Sequence, residues 1–516
     1  MAQWDDGYVT DVVYTSDFFR EITPSRLAMT SLLLGYRPPD LAQPFSYADL
    51  GCGNGFTTLV VAASCPHADV WGFDFNPAHI EFANSLAAQA GLTNVHFVET
   101  SFADLAGFPD AALPDFDFMI SHGVLSWISS VNRHHLMQVI ARRLKPGGLV
   151  YLSYNVTTGW TGMVPVRALM RMLTAASAER TDIAVPGVLD FIDRLRQAGA
   201  LFFQANPAIE SRLTDMRKQN PLYVAHEYLS QDWHPLMFTD VAHEMLETKC
   251  RFIGSATLAD NIDSISVPAN VVPMLGEIRD PYLRETLRDL GCARSFRRDL
   301  YRKGLAPMPA AEQQALLEAV AFVGLGQPVP DGGPTFPTAI GSAAGRQEVY
   351  QPLFSLLDAG PLSVRQAREA PPFAGRPLTE LLQAFMLLVT GRFADPMMPG
   401  GGPSAGRDAS RRLNLAIARA NANAAELRYL AAPVIGSAIA ADVLQTIFVG
   451  ELLSGQPADV NALVAPILAA LTRSGRSIQH EGKPVDPTES RRMVSEAVTN
   501  LIAGRVPLLR RLGILT

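Results

Sequence analysis

The residues best suited to chemistry are Asp49, Gly51, Gly53 and Gly55, in the run Tyr47-Ala48-Asp49-Leu50-Gly51-Cys52-Gly53-Asn54-Gly55. The run reads as the end of a buried strand, a tight turn and the start of a helix over 57–64. Glycine lets backbone approach a ligand where a side chain would block it, and N–H groups at a helix start face whatever occupies such a turn. The spacing is Asp-x-Gly-x-Gly-x-Gly rather than the Gly-x-Gly-x-x-Gly of a pyrophosphate-binding turn. An acid two residues before the first glycine suits a cationic amino group, which describes the methionine part of S-adenosyl-L-methionine. Asp74 ends the apolar strand Asp69-Val70-Trp71-Gly72-Phe73-Asp74, roughly 20 residues past the turn, where a second strand's carboxylate takes ribose hydroxyls. Phe75 follows it on the same cofactor side. The plain alternatives are a strand-end cap for Asp49 and an exposed turn acid for Asp74.

Positioning these residues requires alternating strands and helices. After Asp74 the pattern predicts a helix over 77–90 with Ile80, Ala83, Leu86, Ala87 and Ala90 on one stripe. A strand over 94–98, a strand over 116–122 and a helix over 133–144 follow. Lys145-Pro146-Gly147-Gly148 closes that helix, and a fifth strand runs over 149–154. This alternation predicts an α/β fold: an open, mostly parallel, Rossmann-like sheet with its ligand at the carboxyl ends of the strands. Ser101 and Phe102 then follow the third strand, where a hydroxyl and a ring can bond and stack an adenine, with Asp104 nearby. His122 ends the fourth strand beside the expected nucleophile, either as a general base or as a packing and hydrogen-bonding group under the cofactor.

The series Asp49-x-Gly51-x-Gly53-x-Gly55, Gly72-Phe73-Asp74, Phe116-Asp117-Phe118 and Leu144-Lys145-Pro146-Gly147-Gly148 resembles the class I S-adenosylmethionine-dependent methyltransferases over about residues 45–155. His122-Gly123-Val124-Leu125-Ser126-Trp127, Ser153-Tyr154-Asn155 with Gly159-Trp160, and His226-Glu227-Tyr228-Leu229 narrow the likeness. They are similar to the methyltransferases that carry a methyltransferase regulatory domain, the rickettsial protein-lysine methyltransferases of outer-membrane proteins among them. The resemblance implies S-adenosyl-L-methionine as cofactor and a protein lysine side chain as acceptor. It also implies a helical insertion that dimerises and walls the substrate site, and a bracing role for His226-Glu227, a pair whose residue types also suit acid/base work. Methyl transfer from a sulfonium demands proximity, alignment and a free lone pair, so no metal is expected. His122, Tyr154 and Asn155 are the candidate catalytic residues. Trp127, Tyr154 and Trp160 are candidate walls of the acceptor channel, where aromatic faces suit a lysine stem and head. Taken singly, each aromatic also fits plain core.

The 516 residues carry a net charge of −7, which provides no electrostatic footprint for nucleic acid. Cys52, Cys65, Cys250 and Cys292 have no C-x-x-C spacing, so neither a zinc site nor a disulfide framework is expected. The polar opening Met1-Ala2-Gln3-Trp4-Asp5-Asp6 lacks signal-peptide character, and no apolar run is long enough to span a membrane. The expected setting is a reducing cytoplasm.

Six segments are expected. Residues 1–44 form an aromatic-rich leader that either folds over the ligand as a lid, with Tyr14 over the cofactor, or packs a helix (24–34) on the sheet. Residues 45–159 form the methyltransferase core and 160–235 a helical insertion. The stretch 236–305 returns to the sheet with its last two strands, near 250–258 and 295–303. Residues 306–400 form a small, winged-helix-like middle domain, with a Pro/Gly linker over 396–410. The rest, 401–516, is mainly helical, including a helix over 438–453. A small-molecule or glycan acceptor, and a regulatory protein that binds the cofactor without catalysis, remain the alternatives; the turn pattern and the Pro-Gly-Gly closure disfavour a dinucleotide-dependent dehydrogenase.

Overall fold

The computed structural model describes residues 17–177, 180–230, 232–480 and 483–516. Tyr14 lies outside the described residues, and so does the side chain of His226. Helix α1 (Pro24–Leu33) comes first and is buried from Pro24 to Leu32. A Rossmann-like unit follows: β1 (Ser46–Leu50), α2 (Phe56–Ser64), β2 (Asp69–Asp74), α3 (Pro77–Ala90), β3 (Val95–Glu99), α4 (Phe102–Gly107), β4 (Phe116–Ser121), α5 (Ser130–Arg143) and β5 (Leu144–Asn155). Local chemistry sets its boundaries. Helix α3 begins where Asn76 accepts the N–H of Ala78 and Pro77 takes the first turn, and it ends at Gly91 in the left-handed region (φ 59°). That clear punctuation is why the sequence gives its limits directly.

Strand β5 starts earlier than expected. Leu144 already pairs with Phe116, and the register then slips before Leu149 pairs with Phe118. The Lys145–Gly148 segment is therefore an irregular first part of the strand rather than a closing loop.

Among the described residues, a run of helices follows β5 before the chain returns to the sheet: α6 (Thr157–Trp160), α7 (Met163–Ala176), α8 (Thr181–Gln197), α9 (Leu201–Ala205), α10 (Ala208–Lys218) and α11 (Pro221–Leu229). They share a core of their own that includes Met170, Ile192 and Met216, with Trp160 and Trp233 at its sheet side. The chain returns through α12 (Phe238–Glu247) to β6 (Cys250–Ser255) and, after α13 (Asp263–Ser266), α14 (Val272–Glu277) and α15 (Pro281–Gly291), to β7 (Phe296–Lys303). The seven strands lie in the order β3-β2-β1-β4-β5-β7-β6, with β7 antiparallel to both neighbours. Strand β1 is buried throughout, as a central strand covered on both faces must be.

Beyond the sheet, Ala321–Gly324, Leu362–Ser363 and Ala394–Pro396 make a small antiparallel sheet with helices around it. Two expectations fail here. The presumed linker already contains the start of a helix, Ser404–Asn421, which packs on α2 and α3 through Leu413, Ala416 and Ile417. Residues 437–440 form a strand paired with Tyr429–Ala432, and the helix begins only at Val443. The buried amide of Asn414 holds that hairpin by donating to Ala431 O (2.9 Å) and accepting from Ala431 N (2.8 Å). Among the described residues, no helix is long and apolar enough to cross a membrane.

Candidate active site

A cavity of about 650 Å³ opens at the carboxyl ends of β1, β2, β4 and β5. One end is built by the glycine turn. Gly51, Gly53 and Gly55 all have positive φ, at 86°, 55° and 70°, but they are glycine for different reasons. A Cβ on Gly51 would meet Val124 at 2.5 Å, and one on Gly55 would meet Phe97 at 2.5 Å, whereas one on Gly53 would meet nothing within 4 Å. Gly53 is therefore the open cradle of the turn. Gly51 and Gly53 border the cavity; Gly55 does not and serves the packing of α2 on α3 and β3.

Both acids border the same end. Asp74 Oδ2 accepts the backbone N–H of Gly53 (2.8 Å), while Oδ1 accepts that of Asn76 (2.9 Å) and lies 3.2 Å from His79 Nδ1. Asp49 accepts a hydrogen bond from Thr58 Oγ1 (2.7 Å). Burial pushes the Asp49 carboxyl up to about 7, the Thr58 bond opposing and nearby Asp74 reinforcing that rise. An ammonium group placed there would restore its charge. Phe75, Ser101 and Phe102 line the next part of the wall. Ser101 is also the cap of α4, accepting from Asp104 N–H (3.1 Å) and donating to Asp104 Oδ2 (2.7 Å), so Asp104 supports Ser101 and is not itself a wall residue.

His122 stands at the middle of the cavity. Its Nδ1 lies 2.8 Å from Tyr151 Oη and 3.3 Å from Ser153 Oγ, and the Phe19 ring covers it at 3.9 Å between centroids. Burial, with Arg298 nearby, drives the imidazole down to about 3. A neutral ring of that weak basicity orients and packs; it is a poor proton acceptor.

The far end joins Trp127, Asn155 and Trp160 with Tyr223, Glu227 and Asp232. Tyr154 is absent from it, a correction to its expected catalytic and wall roles. Side chains alternate along β5, so Tyr151 and Ser153 point to the His122 side while Tyr154 is buried on the opposite face, its hydroxyl donating to Asp299 Oδ2 (2.6 Å). Trp160 borders the cavity, but its ring already carries the Arg212 guanidinium at 4.1 Å and its Nε1 donates to Ser295 O (2.7 Å). Glu227 was expected to brace the insertion and instead faces the cavity. It sits on α11, far along the chain from the strands, and only tertiary folding returns it. Asp17 and Arg298 are further wall residues that sequence spacing left unmarked, and Phe19 of the aromatic-rich leader joins them.

Comparison with known proteins agrees with this architecture. Residues 45–237 match a family described as "Methyltransferase domain", and residues 220–303 one described as "Predicted methyltransferase regulatory domain". The uncharacterized protein sll1526 of Synechocystis is 32% identical over 99% of both chains. Trans-aconitate 2-methyltransferase of Methylobacterium radiotolerans is 29% identical over 33% of this chain and 58% of its own. Among solved structures, PKMT2 from Rickettsia typhi in complex with AdoHcy superposes with a TM-score of 0.70, covering 96% of this chain and 99% of that one at 17% identity, a likeness of fold. Two family domains in series, the full-length relative and the seven-stranded sheet place the chain among the class I S-adenosylmethionine-dependent methyltransferases that carry a methyltransferase regulatory domain.

Proposed function

We propose that this methyltransferase N-methylates lysine side chains of a protein substrate. The observation that carries this reading is the chemistry of the cavity's far end, where Asp17, Glu227 and Asp232 stand with the rings of Trp127 and Tyr223. Acids and aromatic faces favour a cationic stem-and-head group. Asp17 and Asp232 disfavour a polycarboxylate such as the substrate named for the trans-aconitate relative.

At the other end, Asp49 meets the methionyl ammonium, Asp74 takes the ribose hydroxyls, and Gly51 and Gly53 let the backbone close on the cofactor. Phe75, Ser101 and Phe102 flank the adenine, and His122 packs under the transferring group. When bound, the cofactor supplies an electrophilic sulfonium methyl group. The chain aligns the acceptor with it and excludes water through Phe19 and Trp127. A homodimer belongs to the same reading, with the exposed apolar residues Met172, Ile183 and Leu201 of the helical insertion as its contact. So does a cytoplasmic setting, which suits four free cysteines.

The test is incubation of the protein with methyl-labelled S-adenosylmethionine and cell lysate, followed by separation of protein from small molecules. Methyl-lysine in the protein fraction is expected. Label confined to the small-molecule fraction would overturn the acceptor assignment.

A further inference from the structure

We propose that Glu227 is the proton acceptor of the reaction, taking a proton from the acceptor's ammonium group so that the amine can attack. This rests on the amine-acceptor reading above. Glu227 projects from α11 into the cavity one turn after Tyr223, and across from it stands Asn155, at the end of β5. The Asn155 side chain is 3% exposed and stands beside the Glu227 carboxyl, whose charged form it favours. A half-buried carboxyl and a buried amide thus face one cavity side by side, and their chemistry fits an amine that both donates and accepts.

The groups around Glu227 come from several elements. Arg167 of α7 and Arg212 of α10 favour its charge, Tyr223 and Tyr228 share its helix, and Asp17 and Asp232 border the same cavity. Neither arginine is idle: Arg212 donates to Gly159 O (2.7 Å) and lies over Trp160, while Arg167 donates to Ser230 O and lies 4.8 Å over the Trp233 ring. Burial dominates and pushes the Glu227 carboxyl up to about 8, with Asn155 and the two arginines opposing. That basicity suits taking a proton from an ammonium at about pH 8 and above, which the His122 imidazole, at about 3, does not.

The proton balance is simple. An N–H bond of the ammonium breaks and its proton passes to Glu227 Oε. The freed lone pair forms the N–CH₃ bond as the S–CH₃ bond breaks, its electron pair staying on sulfur. Glu227 then releases the proton to water.

The experiment compares wild type, Glu227→Gln and Glu227→Asp in labelled methyl transfer into total lysate between pH 6 and 9, beside calorimetric binding of S-adenosylhomocysteine. Cofactor-product affinity should stay within about threefold of wild type in both variants, since Glu227 stands at the other end of the cavity; its loss would place Glu227 in the cofactor site and overturn the proposal. Wild-type transfer should fall as pH drops through about 8, where Glu227 becomes protonated. Glu227→Gln should lose about 10²–10⁴-fold in rate and lose that limb, keeping only the rise owed to the amine itself, while Glu227→Asp recovers part of the rate with the limb present. Undiminished transfer by Glu227→Gln, or an unchanged pH profile, would overturn the proposal while leaving methyl-lysine formation standing. Glu227-dependent label in small amines alone would keep the proton acceptor and sink the protein substrate.

Discussion

The backbone N–H of Gly53 donates to Asp74 Oδ2 across 2.8 Å, so the open glycine of the turn and the carboxylate ending β2 form one hydrogen-bonded unit. Asp74→Ala removes this bond together with those to Asn76 and His79. A charged hydrogen bond is worth about 1.5–3 kcal/mol, so S-adenosylhomocysteine affinity should fall by roughly 10- to 100-fold. Asp74→Asn should lose less, because one oxygen acceptor survives. Calorimetric titration measures both, and unchanged affinity in Asp74→Ala would show that this carboxylate holds no part of the cofactor.

The glycines should separate by experiment. Gly55→Ala forces a Cβ to 2.5 Å from Phe97 at φ 70°. Overpacking costs about 1–3 kcal/mol and the left-handed backbone about 1–2 more, so its melting temperature should drop clearly. Gly53→Ala incurs only the backbone term, and its methyl group enters the open cradle. It should fold nearly as well and bind S-adenosylhomocysteine more weakly. Equal loss of stability in the two variants would contradict the distinction.

Asp49 should make cofactor affinity pH-dependent. Its carboxyl, pushed up to about 7 in the ligand-free protein, must ionise to meet an ammonium group. Binding therefore pulls its pKa down and releases a proton below pH 7, so affinity weakens as pH falls through about 7. Thr58→Val deletes the bond that favours the charged form and should move this midpoint upward. Calorimetry in buffers of different ionisation enthalpy reads the proton release directly; none at pH 6 would rule the contact out.

Tyr154 and Trp127 should behave oppositely. Tyr154→Phe removes the hydroxyl bonded to Asp299, a carboxylate that keeps its contact with Arg297 Nε (2.8 Å). The expected loss is about 1–3 kcal/mol of stability with acceptor KM unchanged. Trp127→Ala should raise acceptor KM with a smaller change in melting temperature. A raised KM in Tyr154→Phe would place that hydroxyl in the acceptor site after all.

The glycine-turn end of the cavity was legible because its signals are local: Asp49, the glycines and Asp74 fall within one β-turn-α-β unit, and Pro77 and Gly91 punctuate its helix. The opposite end was legible only in part. Trp127, Asn155 and Trp160 lie close behind strand ends, so spacing finds them. The face of β5 that Tyr154 occupies depends on register, and one position decides between cavity and core. Glu227 and Asp17 reach the cavity from opposite flanks of the sheet unit, brought back by packing that no short spacing encodes. The helix over Ser404–Asn421 was hidden by Pro403 and the glycines before it, which signal a turn without saying how soon a helix resumes.

The C-terminal region should matter for the cavity although none of its described residues lines the wall. Arg26 of α1 pairs with Asp395, both buried. Just upstream, Arg20 donates to Val389 O (3.2 Å) and Thr390 O (3.0 Å), and the N–H of Phe19 donates to Thr57 Oγ1 (3.1 Å) while its ring covers His122. A continuous run of contacts therefore joins the small C-terminal sheet to the cavity's centre. Asp395→Leu strands the Arg26 charge and should cost about 3–5 kcal/mol, loosening the Phe19 segment and weakening S-adenosylhomocysteine binding with it. Arg26→Met combined with Asp395→Leu removes both charges at once. Since apolar replacement of a buried pair is often neutral or stabilising, the double variant should recover most of the melting temperature and the affinity. Recovery of stability without affinity would mean that the ion pair positions Phe19 by its geometry, and full stability in the single variant would mean that the pair is not what holds α1 in place.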